Sequence, residues 1–547
     1  MNTQALDLSD LLNVPEFEKI QDQIAKLTGT AIITIDFKGT PITKHSERTD
    51  FCTIIRENQI SCKRCQRCDA LAGLEAVRRN RPFIYLCHCG IVDVAVPVSV
   101  GNVYLGAVMF GQVRIPRDDT DARVERLVNE ISSFNEENEN ESSELLEMYN
   151  RLPEMEYEQI EQVADILATK MYAQNDSFSL MAIPFFMLAG QVMETTGITE
   201  KIISFAHSLV GHIRGGLAHT ATLTGMIMAG VSGSANADGA AIGSVMLPAL
   251  KKDGYDEGQA VSIIAAAGSL GPIIPPSIFM IILCNATGSN IGKLFLAGVI
   301  PGLLMGVGFM VVNYVYAKRH NIPVTKFEGF KHIWDTFKVA IWALLMPIII
   351  IGGILGGVFT ATEAGVVASA YGIIYGFLNK SLTLPKLRKC LTEGVVSSIG
   401  PMLLIACSGV FAYMLTSLGT DKIVANFVLT YIPNQHLFLL FMLLLGLLLG
   451  CFIDSIASCL MLMPILTPIV ATLGIDFLHF SIVFTMAFLT CTITPPVGTL
   501  LYVICGIDGT PVMSTVKPIL PYVGIMALVV ILTIFIPQLG IWLPSFL

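Results

Sequence analysis

Two short runs of small and hydroxylated residues interrupt long apolar stretches of this 547-residue chain. The first is Gly230-Val231-Ser232-Gly233-Ser234-Ala235-Asn236-Ala237-Asp238, and the second is Gly450-Cys451-Phe452-Ile453-Asp454-Ser455-Ile456-Ala457-Ser458. Small residues let a backbone unwind and approach a ligand closely. Carbonyls freed by unwinding, together with Ser and Asn oxygens, are hard ligands that suit a small cation such as Na+. The N-terminus of the half-helix that follows suits an anion. A carboxylate within an apolar segment is costly and marks function. Close helix packing through small residues is the competing reading. Two later interruptions, Gly271-Pro272-Ile273-Ile274-Pro275-Pro276-Ser277 and Thr492-Ile493-Thr494-Pro495-Pro496-Val497-Gly498, carry paired prolines, which lack a donor and free carbonyls upstream. The candidate ion- and substrate-binding residues are Ser232, Gly233, Ser234, Asn236, Asp238, Pro275, Pro276, Ser277, Asp454, Ser455, Ser458, Thr494, Pro495 and Pro496.

A second set of reactive residues lies near the start. Cys52, Cys62, Cys65, Cys68, Cys87 and Cys89 crowd one short segment, and Cys62, Cys65 and Cys68 form a Cys-x-x-Cys-x-x-Cys run. That spacing suits thiolate ligation of Zn or an iron–sulfur cluster; free buried thiols are the alternative. Met1 to Lys19 has neither a basic region nor an apolar core of a signal peptide, so these thiols are expected in reducing cytosol rather than in disulfides.

The elements that must position these residues fall into two parts. Residues 1–176 hold 18 of the 34 Lys/Arg and 29 of the 43 Asp/Glu. The rest is apolar enough to lift the mean hydropathy of the whole chain to +0.65, which excludes a soluble protein of this size. Residues 1–175 read as a soluble α/β domain, with strands over Thr30–Asp36 and Gly101–Val113 and helices over Leu71–Arg79 and Val124–Ile131. A polar loop is expected over Asn135–Glu147 and a closing helix over Glu154–Tyr172.

From Ser177 onward, apolar spans follow one another: 180–193, 218–230, 260–283, 295–316, 339–359, 364–377, 399–418, 438–452, 459–473, 482–492 and 520–536. Several are shorter than the roughly 20 residues needed to cross a bilayer, as broken helices and re-entrant hairpins are. An offset of 220 residues pairs Gly230 with Gly450, Ala237 with Ala457, Pro248 with Pro468, Gly254 with Gly474, Asp256 with Asp476, Pro275-Pro276 with Pro495-Pro496 and Pro301 with Pro521. The expected architecture is a polytopic α-helical membrane protein of two inverted repeats, with its site at their interface. The two spans before the second repeat, 339–359 and 364–377, have no apolar counterparts near residues 119–157, so the first repeat lacks its leading helices.

Residues from about 176 to 547 resemble the large membrane subunit of TRAP (tripartite ATP-independent periplasmic, DctM-like) transporters. The resemblance rests on Ala182-Ile183-Pro184-Phe185-Phe186-Met187-Leu188-Ala189-Gly190, His212-Ile213-Arg214-Gly215-Gly216-Leu217-Ala218-His219, Val231-Ser232-Gly233-Ser234, Gly271 to Ser277, Gly352 to Glu363 and Thr494-Pro495-Pro496-Val497-Gly498. It implies Na+-driven uptake of an organic acid such as a dicarboxylate, delivered by a periplasmic substrate-binding protein. It also implies a small membrane subunit as partner and an elevator motion in the lipid of the bacterial inner membrane. Residues 10–173 resemble the PocR sensory domain through Phe51-Cys52, Cys65 with Asp69, Tyr85-Leu86-Cys87-His88-Cys89-Gly90, Ala95-Val96-Pro97-Val98 and Gly111-Gln112-Val113. This implies a PAS-like domain that senses small organic molecules, with Cys52, Cys65 and Cys87 at family cysteine positions and Cys62, Cys68 and Cys89 as additions.

The leading function is therefore secondary transport; the rival is a membrane-anchored sensor that no longer transports. No nucleophile–base pair or phosphate loop points to an enzyme, and nothing points to nucleic acid. Lys318-Arg319, Lys326 to Lys338 and Lys380 to Lys389 place short basic loops in the cytoplasm, where the N-terminal domain is also expected.

Overall fold

The computed structural model describes residues 8, 14–79, 81–100, 103–115, 147–161, 169, 173–417, 419–432, 434–450, 453–496 and 498–546. Contacts divide the chain into two compact units, Met1–Asn175 with Met402–Met414, and Asp176–Pro401 with Leu415–Leu547.

The N-terminal unit is built on α1 (Val14–Thr28), β1 (Ala31–Asp36), α2 (Asp50–Glu57), α3 (Gln59–Arg79), β2 (Phe83–Leu86), β3 (Val92–Val100) and β4 (Val103–Val113). The strands form one antiparallel sheet in the order β1-β4-β3-β2. Isoleucine and valine fill β1, β3 and β4, the β-branched composition that suits a pleated, half-buried surface. Helix α3 begins twelve residues before the expected start at Leu71. Its first half reads as polar, yet Cys65, Asp69, Ala72, Gly73 and Ala76 form a buried stripe at helical spacing. The expected elements over Val124–Ile131 and most of Asn135–Glu147 lie outside the described residues; of Glu154–Tyr172, residues 157–161 are helical.

The membrane unit opens with a 3-10 turn, Phe178–Met181, then α4 (Ala182–Thr195) and α5 (Ile198–Val210). The first repeat comprises α6 (Gly216–Ser232), α7 (Ala235–Lys252), α8 (Glu257–Ser269), α9 (Ile278–Thr287) and α10 (Ile291–Arg319). Between the repeats stand α11 (Phe330–Leu355), α12 (Ala361–Leu378), α13 (Leu384–Ser417) and α14 (Thr420–Tyr431). The second repeat comprises α15 (Gln435–Leu449), α16 (Ser455–Thr472), α17 (Phe477–Thr490), α18 (Thr499–Asp508) and α19 (Val516–Phe535). Among the described residues, seven helices are long and apolar enough to cross a membrane. The apolar stretch 260–283, read from sequence as one span, is in fact α8 and α9 parted by the Gly271–Ser277 break. Glu363, left between helix cap and ligand, caps α12: Thr360 and Glu363 form a reciprocal capping box.

The repeat is visible in packing as well as in sequence. α7 and α16 both start and end 220 residues apart, and α8 and α17 both start behind an aspartate N-cap position, Asp256 and Asp476. α6 packs on α8 as α15 packs on α17, and α10 packs on α17 as α19 packs on α8. The hairpins also cross over: α7 packs on α18 and α16 on α9. Each repeat therefore completes the other.

Candidate functional site

Each break is dictated by local chemistry. Gly233 has φ +63°, a left-handed conformation that L side chains rarely adopt, and a Cβ there would run into the Pro276 carbonyl oxygen. The first break of the repeat thus lies directly against the second. Ser234 is extended (φ −125°, ψ 118°), and its hydroxyl accepts from the Ala237 N–H to start α7. Ser232 reaches back across the gap: its Oγ donates to Asp238 Oδ1 (2.6 Å) and accepts from the Ser234 N–H (3.1 Å).

Asp238 is fully buried, and its Oδ2 has no hydrogen-bond partner among the described residues. That oxygen faces Gly271, where an added Cβ would lie 2.6 Å from it. A carboxylate with one satisfied and one bare oxygen, in a wall of glycine and backbone, has the donor chemistry to accept a cation. A cleft opens beside Ser232, Ser234 and Asp238, with Gly190, Gln191 and Glu194 of α4 on its other wall.

The second repeat copies this with different side chains. Asp454 stands at the position of Ser234 and caps α16, accepting the Ile456 N–H at 2.8 Å. Ser458 stands at the position of Asp238, and it too is buried, with an oxygen that has no hydrogen-bond partner among the described residues. Ser455 Oγ donates to the Phe488 carbonyl (3.3 Å).

The remaining candidates divide. Pro275, Pro276 and Ser277 are buried at the first repeat's second break, but the Ser277 hydroxyl is consumed locally: it donates to the Pro272 carbonyl (2.6 Å) and caps Met280. Thr494 donates to the Thr490 carbonyl (2.8 Å), while Pro495 is half-buried and Pro496 exposed. Asn236 is exposed on the first turn of α7 and does not join the Ser232–Asp238 pair. Gly271 was legible only as part of a proline motif, and Gln191 and Glu194 carried no signal.

In the N-terminal unit Cys87 lies in the core with Cys52, Cys68 and Cys89 packed against the same cluster. On α3 the run Cys62, Cys65, Cys68 spreads over roughly a third of the helix circumference at about 100° per residue. Cys65 is buried, and Cys62 and Cys68 flank it half-buried. Among the described residues, the ligand atoms that gather within 4.8 Å of one another belong to Cys87, His88 and Cys89, in the turn between β2 and β3. Burial pushes the thiols of Cys52 and Cys65 up to about 12.

Around the cysteines lies a polar cluster that sequence reading largely missed. Asp69 of α3, 3% exposed, accepts from Arg56 (2.7 Å) and from the Tyr85 hydroxyl (2.7 Å). Asp93 of β3 accepts the Gln112 N–H (2.9 Å), and burial raises its carboxyl to about 7. Gly111 makes that contact possible, because a Cβ would lie 2.7 Å from Asp93 Oδ1. The Gln112 side chain in turn accepts from both the N–H and the hydroxyl of Thr49.

Comparison with known proteins matches two family models to the chain, overlapping over residues 142–174. The model of the DctM component of tripartite ATP-independent periplasmic transporters matches residues 142–539. The model of the sensory domain found in PocR matches residues 10–174. The chain is 37% identical over 382 residues to the C4-dicarboxylate TRAP transporter large permease protein DctM of Pseudomonas aeruginosa, covering 70% of this chain and 90% of that one. It is 36% identical over 375 residues to the 2,3-diketo-L-gulonate TRAP transporter large permease protein YiaN of Escherichia coli, covering 68% and 88%. It is 35% identical over 379 residues to the sialic acid TRAP transporter large permease protein SiaM of Vibrio cholerae, covering 69% and 89%. The fold is also similar to the crystal structure of the Alcanivorax borkumensis YdaH transporter, with a TM-score of 0.51 at 14% identity over 71% of this chain and 89% of that one. The chain belongs to the TRAP transporter large permease (DctM) family and carries a PocR sensory domain. It is a multi-pass inner-membrane transport protein rather than an enzyme.

Proposed function

We propose that the membrane domain carries a small organic acid into the cell, driven by Na+. The observation that carries this reading is the buried Asp238 with one bare carboxylate oxygen, set where two chain breaks meet and echoed by Ser458 in the second repeat. The compounds named for the three relatives, a C4-dicarboxylate, a diketogulonate and a sialic acid, are all carboxylates. A carboxylate substrate beside the half-helix N-termini and a cation on Asp238 would divide the site by charge. A small TRAP membrane subunit and a periplasmic binding protein are the expected partners, and an elevator movement in the bilayer the expected motion. The test is uptake of labelled succinate, sialate and diketogulonate into proteoliposomes holding all three components. Uptake should stop when K+ replaces Na+; uptake that continues unchanged would refute the coupling. Absence of uptake of any of the three under a Na+ gradient would favour the alternative, a membrane-anchored sensor.

For the N-terminal domain, the donor chemistry supports a thiolate-seeking metal, zinc or an iron–sulfur cluster. Cys87, His88 and Cys89 offer two sulfurs and an imidazole, and His88 Nδ1 is buried without a partner. Cys52, Cys62, Cys65 or Cys68 would supply further ligands. Such an ion would displace thiol protons and brace the β2–β3 turn. Elemental analysis of the chain purified without oxygen should find about one zinc, or a stoichiometric amount of iron, per chain. Near-absence of both, with all six thiols free to titrate, would retire the proposal.

A further inference from the structure

Five buried side-chain nitrogen atoms of the sensory domain have no hydrogen-bond partner among the described residues, and three of them are His45 Nε2, Arg48 Nε and Arg56 Nη1. These three belong to one neighbourhood. The two guanidinium groups act on each other, and both act on the His45 ring. Buried guanidinium N–H groups left bare are rare in folded proteins, and the bare His45 nitrogen beside them donates in one of the two neutral tautomers, so the group points to a missing partner.

Charge sharpens the point. Arg56 has a counter-ion in Asp69, but Asp69 already accepts from Arg56 Nη2 and from the Tyr85 hydroxyl. Arg48 has no ion pair among the described residues; its Nη2 donates to the carbonyls of Cys52 (2.8 Å) and Thr53 (3.3 Å), which carry no charge. Arg56 thus shares Asp69 and the field of buried Asp93, whereas the charge of Arg48 is met by backbone carbonyls and has no ion pair among the described residues.

We propose that the sensory domain binds a small organic carboxylate between Arg48 and Arg56, with His45 completing the contact. A planar two-oxygen anion matches the fork of a guanidinium and is held more strongly than a neutral group. A divalent cation on its own is repelled by two guanidinium groups, so the bare guanidinium nitrogens call for an anion. A phosphate, with more acceptor oxygens, would call for more donors than the three left bare. The ligand class reaches beyond the general sensory reading of the domain, on which it rests, and it makes sensor and permease respond to one class of compound.

The experiment uses the whole chain in lipid nanodiscs, with backbone hydrogen exchange read peptide by peptide, so that binding to the membrane domain is seen separately. The probes are millimolar acetate, succinate and 2-oxoglutarate, with succinamide and inorganic phosphate as comparisons. At least one of the three carboxylates should slow exchange across residues 45–57, while succinamide and phosphate do not. Arg48→Gln should raise the half-saturating concentration by about 10- to 100-fold, and Asp238→Asn should leave it unchanged. Should Arg48→Gln loosen the domain before any ligand is added, Arg48→Lys decides: it keeps the charge but not the fork, and must bind more weakly than the parent while still rejecting succinamide. Protection by none of the carboxylates, equal protection by succinamide or phosphate, or undiminished binding by both Arg48 variants overturns the proposal. Protection that changes with Asp238→Asn also overturns it. A sensor that responds to phosphate or to succinamide fails the ligand class alone, whereas a domain that responds to none of the five fails the sensory reading with it.

Discussion

Asp238→Asn should abolish Na+-driven uptake while leaving the membrane domain folded. The carboxylate is fully buried, and Ser232 satisfies only one of its oxygens. Asparagine keeps the shape and can still accept from Ser232, so packing around α7 survives. What is lost is the negative charge opposite a bound cation. Breaking a buried charge pair costs about 3–5 kcal/mol, a hundredfold or more in cation affinity. Gly271→Val should give the same loss by another route, since its Cβ would lie 2.6 Å from Asp238 Oδ2 and occupy the space the cation needs. Uptake at half-saturating Na+, measured beside a thermal midpoint for each variant, checks both. A stable Asp238→Asn protein that transports within twofold of the parent would remove Asp238 from the site.

The largest effect on stability should come from Asp69→Ala in the sensory domain. Asp69 is 3% exposed and is held by a guanidinium on one side and a phenol on the other. Its loss leaves the half-buried Arg56 guanidinium without its hydrogen-bonded counter-ion, with only the more distant Asp93 in its field, which costs up to about 3–5 kcal/mol. Domains of this kind are stable by only about 5–15 kcal/mol, so a substantial share of molecules should open. In the full chain, exchange should rise across β1, β3 and β4 while α8 and α17 stay protected. The double variant Arg56→Met/Asp69→Leu should recover much of the loss, because it removes both charges together. Unchanged protection in Asp69→Ala would show that solvent reaches Arg56 after all.

The membrane architecture was legible because its signals are compositional and repeated. Apolar spans, glycine–serine breaks and proline pairs sit at one offset, and the helix starts at Ala235 and Ser455 obey it. The contact between the breaks was not legible. Nothing in the string shows that Gly233 abuts Pro276 or that Gly271 faces Asp238, since those contacts depend on how two hairpin tips meet in space. Ser277 shows the reverse error: a hydroxyl in the right motif is spent on capping its own helix. In the sensory domain the cysteines drew attention and the arginines did not. Arg48 and Arg56 sit in a polar-looking stretch, and only the fold shows that they are half-buried with buried guanidinium nitrogens.

The crossed packing of the hairpins also sets an order for making the protein. α7 rests on α18: Gly239 lies close enough that a Cβ would meet Leu500 at 2.7 Å and Ile504 at 3.0 Å. Those partners are encoded some 250 residues later, so at 5–20 residues per second α7 waits roughly ten to fifty seconds for them. During that interval the first repeat is inserted but unfinished, with Ser232 and Asp238 next to a surface that has not yet been synthesised. A nascent chain halted after α10 should therefore be a substrate for membrane quality control, and its first half should gain protease resistance only once residues 499–508 have left the ribosome.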